Sequence, residues 1–217
     1  MSQTATLKTI AEIQAEDARY HNLAQRFEFL PHSWFANAQI MGALLNEFKP
    51  AVLCEVGSWM GASARFQASS PFVQRLICVD HWDRTRVENW VPGTHPEEWM
   101  DNMYEHFMAN AVHARLDNKI CPVRLDSTAG AAHLASLGMK FDWIYLDGAH
   151  ATVAVIEDIK HYLPLLAPKG LLCGDDWSYA MEPENVRGAV MTMAGQLGAQ
   201  VHAYGNFWWY AFPGRPA

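Results

Sequence analysis

The sequence has no run of about 18 consecutive apolar residues, the length that a membrane-spanning helix needs. Its first 15 residues are polar and mixed in charge, so they do not resemble a secretory signal. Lysine and arginine are sparse, at 16 against 23 aspartate and glutamate residues, and they form no basic run. The formal net charge of −7 repels phosphate backbones. We therefore expect neither a membrane nor a nucleic acid as a partner.

Cysteine is also scarce, and its spacing excludes the usual metal and redox motifs. The four cysteines are far apart and form no C-x-x-C pair: Cys54, Cys78, Cys121 and Cys173. Three of them lie inside apolar runs, which favours buried, reduced thiols. A cytoplasmic location is the corresponding expectation.

The composition that remains is that of an ordinary globular protein. Half of the 217 residues are apolar and 18% are charged, and no low-complexity tract or linker divides the chain. We predict one domain over residues 1–217, with a helical N-terminal cap over about 1–50 and a core over 51–217.

Apolar runs and helical spacings alternate along that core. Short apolar runs predict strands at 51–56, 76–80, 120–125, 141–146, 170–173, 200–204 and 206–212. Apolar residues at helical spacing predict helices at 35–48, 61–69, 99–113, 129–137, after Asp147 and at 184–197. Alternating strands and helices are typical of an α/β protein with a doubly wound, mostly parallel sheet.

Acidic residues stand at the ends of nearly all the predicted strands. Carboxyl ends of parallel strands meet at one edge of the sheet, where ligands of such folds bind. Several carboxylates at one edge repel each other unless something positive is bound there. The residues at these ends are Glu55, Gly57, Asp80, Asp126, Ser127, Asp147, Asp175 and Asp176.

The loop after the first strand contains two glycines, Gly57 and Gly61. A dinucleotide-binding loop follows the pattern G-x-G-x-x-G, but Trp59 stands where its second glycine is required. A nicotinamide oxidoreductase is therefore disfavoured. The loop is either a cofactor loop of another kind or a plain tight turn.

Three motifs in this order resemble class I S-adenosylmethionine-dependent methyltransferases. The segment EVGSWMGAS at 55–63 is similar to their E-x-G-x-x-x-G-x-S loop, and CVDHW at 78–82 resembles the acidic end of their second strand. The stretch 141–150, continuing through 165–170 to GDDW at 174–177, resembles the small-molecule O-methyltransferases that use a divalent metal. The likeness covers roughly residues 51–197 and implies their Rossmann-like sheet with an antiparallel last strand.

The resemblance implies a set of contacts with S-adenosylmethionine. It places the cofactor on Glu55, Gly57, Ser58, Gly61, Ser63, Asp80, His81, Asp126, Ser127 and Asp147. Asp80 would accept hydrogen bonds from the ribose hydroxyls, although it could also be a helix cap or a solvated strand end. Asp126 and Ser127 could contact adenine or cap the helix that follows them.

The same resemblance implies a metal and a base. Asp147, Asp175 and Asp176 become ligands of Mg²⁺, which prefers hard oxygen donors. The alternative is that Asp147 contacts only the cofactor and the following pair is a solvated loop. His150, three residues after Asp147, matches the general base of these enzymes, which would deprotonate an acceptor hydroxyl.

Tryptophans crowd the long connection between Trp82 and Trp99, which includes Trp90. Together with Trp177 they predict either an aromatic wall for the substrate or packing of the connection onto the body. The run from Phe207 to Tyr210 is expected to belong to the last strand, outside the site.

The leading functional hypothesis is an O-methyltransferase, Mg²⁺-dependent, that acts on a small hydroxylated metabolite such as a natural-product sugar or phenol. The alternatives are a metal-independent N- or O-methyltransferase and a non-catalytic protein that binds S-adenosylmethionine. A homo-oligomer is expected. The segment before Ser33 matches no motif, and in relatives it contributes to a substrate lid or subunit contact.

Overall fold

A computed structural model describes residues 22–30, 35–87, 95–178, 180–181 and 184–212 of the chain. Their main sheet has seven strands in the order β3-β2-β1-β4-β5-β7-β6. The strands are β1 Val52–Val56, β2 Arg75–Asp80, β3 Ile120–Arg124, β4 Phe141–Leu146, β5 Leu166–Gly174, β6 Gln200–Tyr204 and β7 Phe207–Ala211. The first five strands are parallel, and β7 runs antiparallel to both β5 and β6. The predicted fold class is confirmed.

Helices cover both faces of this sheet, and each face buries its own apolar cluster. The helices are α1 Ala38–Phe48, α2 Ala62–Ser69, α3 Glu97–Asp101, α4 Met103–His113, α5 Ser127–Ser136, α6 Thr152–Tyr162 and α7 Val186–Leu197. One cluster joins α1, α2 and α4 to the sheet through residues such as Met41, Ala64 and Phe107. The other joins α5, α6 and α7 through Leu134, Ile159 and Val190. Buried strands covered on both faces explain why the sequence runs at these strands are mostly apolar.

Element ends differ from the predictions where polar contacts outweigh the apolar pattern. The helix predicted at 99–113 is interrupted at Asn102, whose φ of −125° and ψ of 34° are not helical. The predicted helix at 184–197 begins at Val186, because 184–185 pair with 180–181 in a short ladder and Asn185 caps the helix through Gly188. The strand predicted at 170–173 extends back to Leu166, which pairs with Phe141.

The thiols follow the prediction made from their spacing. Cys54, Cys78 and Cys173 are buried, Cys121 is partly exposed on the edge strand β3, and all four are free. Burial raises the pKa of the three buried thiols. Among the described residues, no helix has both the length and the apolar character needed to cross a membrane.

The strand order reverses between β1 and β4, which are neighbours in the middle of the sheet. β1 continues the sheet toward β2 and β3, whereas β4 continues it toward β5. In open α/β sheets the ligand crevice lies at such a reversal, outside the carboxyl ends of the strands. The loops after β1, β2, β4 and β5 are therefore the place for a site.

Candidate active site

The loop after β1 is held against the loop after β4 by direct backbone packing. Gly57 has a φ of +84°, and its N–H donates to the Val79 carbonyl at 2.9 Å. A Cβ at this position would lie 2.5 Å from the carbonyl carbon of Asp147 and 2.6 Å from the Cα of Gly148. Gly61, with a φ of +79°, packs instead against a side chain, because a Cβ there would lie 2.8 Å from Cδ2 of the Phe107 ring. Both glycines are therefore required by the geometry of the loop.

Asp80 at the end of β2 binds the backbone of two loops. Its Oδ2 accepts from the Trp59 N–H at 2.9 Å, and its Oδ1 accepts from the Trp82 N–H at 2.8 Å. Burial raises the pKa of Asp80, and these two backbone donors oppose the shift. Asp80 is thus neither a helix cap nor a freely solvated strand end; its predicted contact with ribose stays a prediction.

Glu55 lies under the loop and is fully buried. Its Oε1 accepts from Gln67 Nε2 at 2.8 Å, and the Cys78 thiol lies 3.8 Å from Oε2. Burial raises the pKa of Glu55 to about 7, opposed by the hydroxyls of Ser63 and Ser58. In this arrangement Glu55 supports the loop from below, and its predicted contact with the cofactor is untested.

An open groove of about 490 Å³ lies beyond the ends of β2 and β3. His81 lines it, and the imidazole Nδ1 accepts from the Asp83 N–H at 2.9 Å. Asp126 also lines the groove and pairs with Arg86. The groove brings two predicted cofactor contacts, His81 and Asp126, to the side of the loop where Asp80 lies.

Neither of the residues that begin α5 caps it through a side chain. Asp126 occupies the N-cap position without a side-chain capping bond. The Ser127 hydroxyl donates instead to Asp158 on α6. Side-chain capping of α5 by Asp126 or Ser127 is therefore absent from the structure. Their contact with adenine remains a prediction.

The three predicted metal ligands line one small cavity after β4 and β5. Burial raises the pKa of Asp147, and the negative charges of Asp175 and Asp176 raise it further. Asp175 is held by the Tyr145 hydroxyl, which donates to its Oδ2 at 2.9 Å. Asp176 follows with a φ of +61°. The structure thus brings together the carboxylates that the sequence placed at neighbouring strand ends.

His150 lies beside this cavity and contacts Asp176. Its Nε2 is 2.9 Å from Asp176 Oδ2, and both side chains are partly exposed, at 29% and 22%. A neighbouring carboxylate fixes the orientation of an imidazole and stabilises its protonated form. The predicted base and one predicted metal ligand therefore form a His–Asp pair.

A ready-made metal centre is not present in the part of the chain that is described. No group of three or more His, Cys, Asp and Glu side chains there is arranged to hold a metal ion. The donor set itself, three carboxylates around one cavity, nevertheless suits a hard divalent cation. Such a cation would also relieve the repulsion that raises the pKa of Asp147.

Two tryptophans have roles that the sequence did not reveal. Trp208 on β7 lines the carboxylate cavity, and its Nε1 donates to the Asp175 carbonyl at 2.9 Å. The expectation that all of β7 lies outside the site is therefore wrong for Trp208, because the antiparallel pairing of β7 with β5 brings it beside Gly174. Trp82 is buried, and its Nε1 donates to the Trp59 carbonyl at 2.7 Å.

The packing interpretation thus holds for Trp82, which contacts Tyr104 and Phe107. Trp99 is partly buried against the same cluster. Trp177 stacks with Arg187, with the guanidinium carbon 5.0 Å from its ring. Trp90 lies outside the described residues.

Comparison with known proteins agrees with this geometry. A sequence-family model described as "Methyltransferase domain" matches residues 54–177, more than half of the chain and all of the loops described above. The chain belongs to this methyltransferase family. It is a class I, S-adenosylmethionine-dependent methyltransferase, as the resemblance implied. No curated protein matches it significantly.

Solved structures with the same fold include several methyltransferases. A Staphylococcus aureus protein described as a caffeoyl-CoA O-methyltransferase is 14% identical, with a TM-score of 0.62, and the match covers 94% of this chain and 92% of that one. A Bacillus cereus O-methyltransferase in complex with SAH is 12% identical, with a TM-score of 0.59 and coverages of 95% and 92%. The O-methyltransferase TomG of Streptomyces achromogenes, involved in tomaymycin synthesis and bound to SAM, is 15% identical, with a TM-score of 0.61 and coverages of 98% and 94%. At these identities the likeness establishes the fold of this methyltransferase and not its acceptor.

Proposed function

We propose that this methyltransferase transfers a methyl group from S-adenosylmethionine to a hydroxyl of a small metabolite, with Mg²⁺ held by Asp147, Asp175 and Asp176. The observation that carries the proposal is the convergence of these three carboxylates on one cavity beside His150. Solved O-methyltransferases with this fold, two of them bound to SAM or SAH, support the same reaction class. A sugar or a phenol remains the expected type of acceptor.

The protein residues divide the work by position. The loop after β1, with Asp80 beneath Trp59, would hold the cofactor so that its methyl group faces the carboxylate cavity. Asp147, Asp175 and Asp176 would hold Mg²⁺, which when bound lowers the pKa of a hydroxyl that it contacts. When the acceptor oxygen and the methyl group of the cofactor are held in line at contact distance, the transfer needs little further activation.

His150 would take the proton of the acceptor hydroxyl. Its Nε2 lies 2.9 Å from Asp176 Oδ2, so the carboxylate orients the imidazole ring. The resulting imidazolium is stabilised by the Asp176 carboxylate. A general base of this kind contributes roughly 10² to 10⁴-fold to the rate.

A second candidate follows from the same pair. Because His150 and Asp176 already form a base and its orienting carboxylate, deprotonation by this pair without a metal is chemically coherent. The described residues also contain no preformed metal-holding group. This favours a metal-independent O- or N-methyltransferase as the alternative.

One experiment separates the two mechanisms. Turnover is followed as SAH release on a panel of phenols and sugars, with Mg²⁺ and after chelation, for wild type, Asp175→Asn, Asp176→Asn and His150→Gln. The metal mechanism predicts loss of turnover on chelation and in Asp175→Asn, which does not touch His150. The metal-free mechanism predicts that chelated wild type and Asp175→Asn both retain turnover. Both mechanisms require Asp176 and His150.

The His150→Gln variant should lose roughly 10²-fold or more of turnover, with S-adenosylmethionine affinity by calorimetry within twofold of wild type. His161→Gln is the matched control, because His161 is 42% exposed near the far end of the helix that follows His150. Full turnover in His150→Gln on every accepted substrate would exclude His150 as the base. Absence of S-adenosylmethionine binding to wild type would contradict the cofactor assignment itself.

A further inference from the structure

The carbonyl of Met60, in the middle of the loop after β1, accepts two side-chain hydrogen bonds from distant parts of the fold. Asn110 Nδ2 on α4 donates to it at 2.9 Å. Arg65 Nη1 on α2 donates to it at 3.1 Å. Met60 itself is 2% exposed, so this carbonyl has these two donors in place of water. The position of the loop therefore depends on both side chains.

The same two side chains also contact the N-terminal segment, residues 22–30. Asn110 Oδ1 accepts from the Leu30 N–H at 2.8 Å, so this fully buried amide bridges the segment and the loop. The Arg65 guanidinium lies 4.9 Å from the ring centroid of Phe29. Each of the two links thus runs from residues 29–30 to the Met60 carbonyl.

Two further residues of α4, His113 and His106, contact the segment. His113 Nε2 lies 2.9 Å from the Phe27 carbonyl. His106, one turn of helix before Asn110, packs edge-on against the Phe27 ring at 4.6 Å. Phe27 and Leu30 are themselves buried. The segment is therefore docked on α4 at several points, and Asn110 and Arg65 are the two side chains described above that contact both the segment and the Met60 carbonyl.

A few residues further along the chain, Asn37 lies at the carboxylate side of the site. Its buried side chain is beside Tyr145 and Asp175. Burial raises the pKa of both groups, and Asn37 opposes the shift in each. Leu30 thus lies beside the cofactor loop, and Asn37 lies beside the place where the acceptor would react.

We propose that Asn110 and Arg65 are positioning residues that couple the cofactor loop to the N-terminal segment, so that cofactor binding orders the segment before the acceptor enters. The proposal rests on the proposed binding of S-adenosylmethionine at this loop. When the cofactor is bound, the loop and its Met60 carbonyl are fixed in position. The fixed carbonyl keeps Asn110 and Arg65 in the geometry in which Asn110 bonds Leu30 and Arg65 contacts Phe29.

The test is amide hydrogen exchange of residues 22–30 in the full chain, with and without saturating SAH. Wild type should exchange several-fold more slowly when SAH is bound. Asn110→Ala and Arg65→Met should lose this dependence on SAH and bind it more weakly, by roughly tenfold for Asn110→Ala, as for the loss of one buried hydrogen bond. His113→Ala should exchange faster throughout but keep the dependence on SAH.

Matched controls remove general effects of the substitutions. Asn46→Ala removes an amide that donates to the Gly42 carbonyl within α1, and Arg75→Met changes an exposed arginine at the opposite end of β2 from Asp80. Both should behave as wild type. Arg65→Met, at a partly exposed position, keeps the test available if Asn110→Ala does not fold, which circular dichroism would reveal.

Three results overturn the proposal while leaving the proposed function intact. The first is that SAH binds to wild type but leaves amide exchange of residues 22–30 unchanged. The second is that exchange still depends on SAH in Arg65→Met and Asn110→Ala. The third is that exchange no longer depends on SAH in His113→Ala alone. Failure of wild type to bind SAH would instead contradict the proposed function.

Discussion

Replacing Gly57 by alanine should disable the site through a collision between two backbones. The φ of +84° at Gly57 costs an L-residue about 1–2 kcal/mol. The new Cβ would also lie 2.5 Å from the carbonyl carbon of Asp147, which is backbone and cannot rotate away. Forcing a methyl group into a packed region costs a further ~1–3 kcal/mol. The sum, about 2–5 kcal/mol, is a large part of the 5–15 kcal/mol that is roughly typical of a whole domain.

Gly138→Ala separates the two contributions. Gly138 has a φ of +64°, but nothing lies within 4 Å of a Cβ built there. It lies between α5 and β4, at the opposite end of the sheet from the site. Urea unfolding should give a loss of about 1–2 kcal/mol for Gly138→Ala and a larger one for Gly57→Ala. Calorimetry should find S-adenosylmethionine binding lost only in Gly57→Ala. Equal free energies of unfolding for the two variants would refute the reasoning.

Two further predictions concern the groups under the loop. Burial raises the pKa of Glu55 from 4.5 to about 7. The contribution of Glu55 to the free energy of unfolding is therefore fully present below pH 4.5, and about 3 kcal/mol of it is lost as the pH rises through 7. Glu55→Gln should therefore be more stable than wild type above pH 7 and lose the advantage toward pH 5 in urea titrations; an unchanged difference across this range, or an equal effect of the exposed Glu47→Gln, would contradict this. Trp82→Phe keeps the packing on Tyr104 but removes the donor to the Trp59 carbonyl, so it should cost about 1–2 kcal/mol and weaken S-adenosylmethionine binding; calorimetry that finds wild-type affinity would disprove the role of that bond.

The sheet could be predicted because its strands are buried on both faces. Mostly apolar runs such as Val52–Val56 and Phe141–Leu146, each with a single acidic residue, are typical of buried strands. Boundaries were less predictable, because they depend on partners that are distant in sequence. The start of β5 at Leu166, for example, is set by its pairing with Phe141, and nothing in the local pattern around Pro168 indicates a strand.

The candidate site likewise contains residues that could be predicted from the sequence and residues that depend on contacts distant in sequence. Asp147, Asp175 and Asp176 could be named from the sequence, because strand ends in a parallel sheet meet at one edge. His150 was named from the resemblance to O-methyltransferases. The supporting residues could not, because Asn110 looks like an ordinary helix residue until its amide is seen between Leu30 and Met60. Trp208 was missed for a related reason. The position of an antiparallel last strand beside β5 follows from the fold and not from the local sequence.

The distribution of the thiols makes this methyltransferase convenient for site-specific chemistry. Cys54, Cys78 and Cys173 are buried, and their raised pKa values keep them as unreactive thiols. Cys121 alone of the four is partly exposed, and it lies on β3, the edge strand whose end borders the open groove. A fluorophore attached by a maleimide to the unmodified wild-type chain should therefore label the β3 edge of the sheet without any cysteine having to be removed first.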